Sequence, residues 1–370
     1  MATTTGVTRS GNQLIDGQLS GVRWVGPLTY SDPGQASAYG AYFSDADADG
    51  VSAQDEGFSR LTAQQLSAVH SVLSADAGTP AARAGFSVEG LTNLDVRYLG
   101  GGSGAADLRL ANSADPGTAY AYYPSSSPYG GDVWFGPAGD DPVVGTYDHH
   151  AVMHEIGHAL GLKHGHETDV YGPLPRANDS HEYSIMTYRS YPGSPGSFYT
   201  NALYDGPQSF MMADIAALQY MYGADFRTNS GDTTYRWTPG AGTTFVDGQA
   251  AITPGGDRIF LTVWDGGGRD TYDLSAYSSD LAIDLAPGGY STFSSGQRAD
   301  LGGGYLARGN VYNALQYRGD ARSLIENAVG GSGADLLHRR RDQLARRQAQ
   351  PVDRDVAEIA DVLDHRREQV

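Results

Sequence analysis

The chain has 370 residues, 40% of them hydrophobic and none of them cysteine, and a formal net charge of −18. This length supports one full domain plus a smaller one; the acidic balance excludes a nucleic-acid or anionic-membrane partner, because phosphate binding needs clustered Lys and Arg that the main body lacks. Without cysteine there is no disulfide framework and no thiolate zinc site, so a metal would be held by His, Asp, Glu, Tyr or backbone oxygens.

The 50 glycines and 24 tyrosines predict a turn-rich, strand-rich molecule with few helices. No run of about 18 apolar residues marks a membrane span. Residues 1–18 have neither a basic nor an apolar block, so they do not read as a Sec-type signal peptide. The first forty residues read as irregular and polar, apart from a strand-like Val22-Arg23-Trp24-Val25. A long helix is predicted from about Ser59, where Leu61, Leu66, Val69, Val72 and Leu73 recur at mostly helical spacing and Ser59 or Thr62 offers a cap. Residues 94–99, 106–110, 119–123 and 132–135 read as short strands between Gly, Pro, Ser and Asn turns. Two more helices are predicted, over about 148–162 and 211–222. Beyond Tyr222 helical signals stop, and short strand-like pieces alternate with Gly- and Asp-rich turns to about residue 337. The composition then shifts: residues 338–370 carry eight Arg against seven Asp or Glu, so the negative charge belongs to the body. Val356, Ile359, Val362 and Leu363 fit one amphipathic helix, but the charge density suits a solvated, disordered segment better.

The chemistry concentrates in His154-Glu155-Ile156-Gly157-His158. A four-residue spacing on a helix puts both imidazoles on one face, where they can chelate one ion, with Glu155 beside them. Gly161 can adopt a positive φ and end the helix, turning the chain so that His164 returns as a third ligand. Three neutral imidazoles and an open fourth position make a catalytic rather than a structural zinc site.

His154 to His164 resembles the long zinc motif of the metzincin endopeptidases, and Ser184-Ile185-Met186-Thr187-Tyr188 resembles their Met-turn. The stretches 157–162 and 214–223 narrow the resemblance to the serralysin type, running from about Gly11 to Leu337; Gly165 departs from the proline many serralysins carry after the third histidine. The resemblance implies an α+β metzincin catalytic domain with a twisted sheet and long helices, followed by the start of a parallel β-roll domain. It implies zinc on His154, His158 and His164, Glu155 as general base, Met186 as a hydrophobic floor beneath the metal, and Tyr188 as a further zinc ligand that then stabilises the oxyanion. The strand at 132–135 reads equally as an edge on which an extended substrate docks and as a plain core strand. Histidines 149, 150, 166 and 181 are read as solvent-facing or as supports for the ligands.

Residues 330–337 fit one copy of the G-G-x-G-x-D-x-U-x calcium repeat. By the same resemblance, one calcium ion falls to Asn229, Gly231 and Thr233 with Asp265, Gly267 and Asp270, and a second to Gly268, Asp270, Leu324 and Glu326. Asn229 stands where many members have arginine, a change that a backbone carbonyl ligand tolerates. A serralysin would continue past residue 338 with more repeats and a secretion signal, and this sequence does not. Asp45, Asp47, Asp49, Gly50 and Glu56 satisfy the spacing of an EF-hand loop, although Ser52 stands where an apolar residue is usual and an acidic surface loop is the competing reading.

The expectation is therefore a propeptide at 1–18 that covers the cleft, a zinc protease domain at 19–225, a truncated calcium-binding domain at 226–337 and an atypical tail at 338–370. The product is a monomeric endopeptidase with Zn2+ and Ca2+, acting on proteins or peptides and secreted by a signal-peptide-independent, type I route. The rivals are a catalytically silent binding module on the same scaffold and a calcium-dependent adhesion protein.

Overall fold

The computed structural model describes residues 2–40, 42–102, 104–195 and 199–338; the tail expectations beyond 338 lie outside these residues. The first forty residues are more regular than their composition suggests. Strand β1 (Thr3–Gly6) pairs antiparallel with β2 (Val22–Val25), Thr3 opposite Val25. Between them a short helix α1 (Gln13–Asp16) is capped by Asn12, whose side chain accepts from Leu14 N–H. The signal was missed because β1 is mostly exposed: backbone pairing holds it, and no apolar alternation marks it. This segment is tied to the rest of the chain by Tyr171, whose hydroxyl donates to Val7 O, and by Gln18, whose amide donates to Asp214.

A five-stranded sheet follows in the order β4-β3-β5-β7-β6, from β3 (Leu28–Ser31), β4 (Val96–Tyr98), β5 (Leu108–Asn112), β6 (Ala119–Ala121) and β7 (Val133–Phe135). All its pairings are parallel except β6 with β7. The strand at 133–135 is therefore interior, and its three residues are buried; β6 is the edge, so an edge role for residues 132–135 is corrected. Helix α2 (Ala63–Leu73) starts later than Ser59: Thr62 is the cap, closing a reciprocal box with Gln65 (3.1 and 2.8 Å). After the short α3 (Val88–Leu91) come α4 (Tyr147–Ala159) and α5 (Met212–Tyr222).

The second half builds a sheet ordered β10-β9-β8-β12-β16 from β8 (Thr234–Thr238), β9 (Ala241–Val246), β10 (Gln249–Ile252), β12 (Asp270–Asp273) and β16 (Ile325–Val329). Two smaller sheets join β11 (Leu261–Val263), β15 (Val311–Asn313) and β14 (Tyr290–Ser291), and β13 (Ala282–Asp284) with β17 (Leu336–His338). Strand β12 lies parallel between β8 and β16, and β11/β15 and β13/β17 are also parallel. Trp237, Tyr272, Leu261, Phe293 and Ile325 form the core of this half. The other large core holds Val69, Leu110, Val152, Ile156 and Leu218 and also takes in Phe260, Trp264, Leu301 and Tyr312. Packing thus crosses the division expected near residue 225, and Trp264 Nε1–H donates to Asp225 O (3.0 Å).

Candidate metal centre

Thr146 opens α4 by accepting His149 N–H at 3.3 Å, and every residue from His149 to Ala159 is buried. The helix ends at Gly161, whose φ is +101° and whose added Cβ would meet Val22 O; positive φ and close approach together require glycine. The turn is held from outside the helix: Ser20 N–H donates to Gly161 O (3.0 Å), Lys163 N–H donates to Gln18 O (2.7 Å), and Leu19 bridges Leu162. This clamp returns the chain and delivers His164 to the face that carries His154 and His158.

The three imidazoles present ligand atoms within 4.8 Å of one another. Each Nδ1 faces an acceptor: Ile185 O for His154 (2.9 Å), Leu162 O for His158 (2.8 Å) and Glu167 Oε1 for His164 (2.6 Å). These partners assign the proton to Nδ1 and leave the lone pair on Nε2. The Nε2 atoms of His158 and His164 lie 3.0 Å apart. Two lone pairs cannot bond each other, and a cation held by both nitrogens would resolve the contact. Burial also keeps the rings neutral, pushing His154 down to about 4 and His164 to about 3, and His158 well below its ordinary value. A donor set of three neutral, outer-supported imidazoles fits zinc.

Glu155 is buried between these ligands, its Oε2 without a hydrogen-bond partner among the described residues, and burial pushes its carboxyl up to about 8. Met186 is fully buried, and a Cβ placed on Gly157 would come within 2.5 Å of its sulfur, so the methionine lies directly beneath the helix. Tyr188 is 41% exposed, its ring 4.5 Å from that of His164 and 6.0 Å from that of His154. Two supports escaped the sequence reading. Glu167 orients His164. Asp214, three positions into α5, accepts from Ile185 N–H (2.8 Å) and Met211 N–H (2.9 Å), and so fixes the turn whose carbonyl orients His154. Burial raises Asp214 to about 7. A carboxylate three residues after a helix start was the available signal. Of the other histidines, His149, His150 and His181 are buried rather than solvent-facing, while His166 stacks on His164 with centroids 5.3 Å apart.

In the second half, the loops before β8, β12 and β16 bring the expected calcium residues together. Asp270 Oδ1 accepts from Thr233 N–H (2.9 Å), and the Thr233 hydroxyl reaches Asn229 O (3.1 Å) and Gly231 O (3.0 Å). Asp265 accepts from Gly267 N–H (2.8 Å), and Glu326 accepts from Asp270 N–H (2.9 Å). An added Cβ on Gly268 would strike Gly231 O. Leu324 immediately precedes Ile325, which pairs with Asp270. Burial pushes both Asp265 and Asp270 up; Asp270 is raised further by Asp265 and Glu326, whereas Asp265 is held back by hydrogen bonds from Gly267 N–H, Asp270 and Tyr235, and Asp270 Oδ2 is buried without a partner among the described residues. The repeat at 330–337 leads into β17, with Asp335 accepting from Leu281 N–H (3.2 Å).

The loop at 45–56 gathers Asp45, Asp47 and Asp49, and separately Asp47, Glu56 and Asp115. Its carboxylates are taken up by its own amides, Gly50 N–H donating to Asp45 (2.9 Å) and Val51 N–H to Asp49 (2.8 Å). Among the described residues no α-helix directly flanks it.

Comparison with known proteins adds independent findings. Residues 224–363 match a family model described as the peptidase M10 serralysin C terminal, a span that runs past the composition change at 338. The chain is 34% identical over 268 residues to a protein named serralysin from Proteus mirabilis, covering 68% of this chain and 48% of that protein. It is 36% identical over 229 residues to serralysin B of Dickeya chrysanthemi (59% and 42%) and 33% identical over 257 residues to metalloprotease AprA of Pseudomonas entomophila strain L48 (64% and 47%). The chain thus spans about half the length of the relatives it matches. Among the described residues no helix is long and apolar enough to cross a membrane.

Proposed function

We propose that this chain, which belongs to the serralysin-type metzincins, is a zinc-dependent endopeptidase acting on proteins outside the cell that makes it. The observation that carries the reading is the convergence of three neutral imidazoles, with the buried Glu155, whose Oε2 has no partner among the described residues, next to His154 on the same helix. His154, His158 and His164 would hold the metal through Nε2. When bound, zinc supplies Lewis acidity toward the scissile carbonyl and lowers the pKa of a water. Glu155 removes the proton from the attacking water; as the water oxygen bonds to the carbonyl carbon and the C–N bond breaks, it delivers that proton to the leaving amine. The Tyr188 hydroxyl donates to the oxyanion. An extended substrate pairs on β6, the sheet edge, whose Ala119 lines the chamber beside Glu155.

Calcium belongs to the same proposal. Asp265, Asp270 and Glu326 oppose one another in a partly buried pocket, and a divalent cation bound by them with the carbonyls of Asn229 and Gly231 would offset that repulsion.

The test is cleavage of denatured casein with zinc and calcium present, beside Glu155→Gln and a chelated control. Wild-type cleavage with a loss of about a thousandfold or more in Glu155→Gln, as expected for removing a general base from a metal site, supports the reading. An inactive wild type that binds zinc and melts cooperatively makes the silent binding module the better one.

A further inference from the structure

The chamber beside Glu155 has a wall that hydrolysis does not use. It is a cavity of about 180 Å3 whose lining includes His154 and Glu155 together with His150, His181, Tyr147 and Tyr199, with the His150 and His154 rings 5.8 Å apart. His150 stands one helical turn before His154 and is 5% exposed. Its ring lies 4.8 Å from that of His181, 5.2 Å from Tyr199 and 6.5 Å from Tyr147. His181 has both ring nitrogens engaged, by Asn201 Oδ1 (2.9 Å) and Thr187 O (3.2 Å). His150 has neither: no described residue bonds to its ring nitrogens, and since Nδ1 is closed off, Nε2 is the nitrogen left to face the chamber. An imidazole in the wall of a chamber whose inward nitrogen has no protein partner is placed to bond a group that enters the chamber.

We propose that His150 is a specificity residue: the chamber receives a substrate side chain flanking the scissile bond that ends in a flat, uncharged hydrogen-bonding group, so that glutamine is taken over methionine and tyrosine over phenylalanine. The proposal rests on the endopeptidase reading above. A neutral imidazole both donates and accepts, as do a carboxamide and a phenol, whereas an apolar group of the same shape leaves the imidazole desolvated and unpaired. Size permits a six-membered ring, since a cavity of about 150 Å3 accommodates benzene. The surrounding rings favour a flat group. Charged ends are disfavoured: the described lining offers no Lys or Arg to a carboxylate, which would also face Glu155.

The test has two arms on the zinc- and calcium-loaded full chain. Peptide pairs differing only as Gln/Met or Tyr/Phe are cleaved in competition, and the products are mapped on both sides of the broken bond. The expected kcat/KM ratio favours Gln and Tyr by about tenfold or more, falls to about one in His150→Phe, and is partly kept in His150→Gln. In the second arm p-cresol and toluene, which differ only in the hydroxyl, are titrated while the His150 ring is followed by NMR. Saturable shifts with p-cresol and none with toluene support the proposal without any turnover. Cleavage with equal or inverted ratios, or a ratio that survives in His150→Phe, overturns the proposal and leaves the endopeptidase reading standing. No cleavage of any peptide removes that reading, and this proposal with it.

Discussion

His154, His158 and His164 come from one short stretch, and each turns its Nδ1 onto an outer partner, so the cluster is neutral and supported before any cation arrives. Asp265 and Asp270 come from one short stretch that ends in β12, Glu326 comes from the distant β16, and together they place carboxyl groups against one another, with Asp270 Oδ2 unpartnered among the described residues. The first cluster is preorganised by hydrogen bonds; the second gathers buried carboxyl groups whose charged forms are disfavoured in the absence of a cation. The lesson is that metal removal should act differently on the two halves.

The largest expected effect breaks the preorganised half through its support. Asp214→Ala strips the acceptor from Ile185 N–H, Met211 N–H and the Gln18 amide; at about 1–3 kcal/mol per buried unpaired donor, the loss of stability is about 3–5 kcal/mol. Urea unfolding measures it, and a loss below about 1 kcal/mol would remove Asp214 from the account. Next comes calcium. With zinc buffered, withdrawing calcium from a hundredfold excess over its Kd should cost about 2.7 kcal/mol, with hydrogen-exchange protection lost in the loops around 229–233, 265–270 and 324–326 and kept in α4. Asp270→Asn should abolish that calcium dependence; equal loss of protection in both halves would erase the contrast drawn here.

Glu167→Gln sharpens the comparison at smaller scale. It weakens the acceptor that orients His164, so zinc affinity should fall about 10- to 100-fold, while the metal-free stability changes by no more than about 0.5 kcal/mol. Isothermal titration with zinc and a metal-free melt separate the two. The smallest effect is Gly157→Ala, which pushes a methyl toward the Met186 sulfur and should cost about 1 kcal/mol through overpacking; an unchanged melt would mean the methionine yields freely.

Much of the site was legible because its geometry is local. The His154–His158 spacing and the glycine at 161 specify a helix face and a turn within one continuous stretch, apolar periodicity placed α2, and the spans expected at 148–162 and 211–222 agree with α4 and α5 to within a few residues. Strand β1 was not legible, since an exposed strand held by backbone pairing carries no alternation. Nor was the rank of the strand at 133–135: a buried strand and an edge strand can share one sequence, and only the antiparallel addition of β6 makes it interior. Glu167 and Asp214 act on atoms that the fold brings to them, and His150 looked like any other histidine.

By itself, then, the sequence determined which side chains could bind a metal, where the three longest helices lie and where strand-rich architecture begins, because those follow from local sequence pattern and side-chain chemistry. The tertiary structure decided which acceptor fixes each imidazole proton, which strand is the edge, which carboxyl groups share a pocket and which ring nitrogens are left without a partner among the described residues. Those are matters of long-range packing, where a buried polar group is either satisfied or not, and spacing along the chain does not encode them.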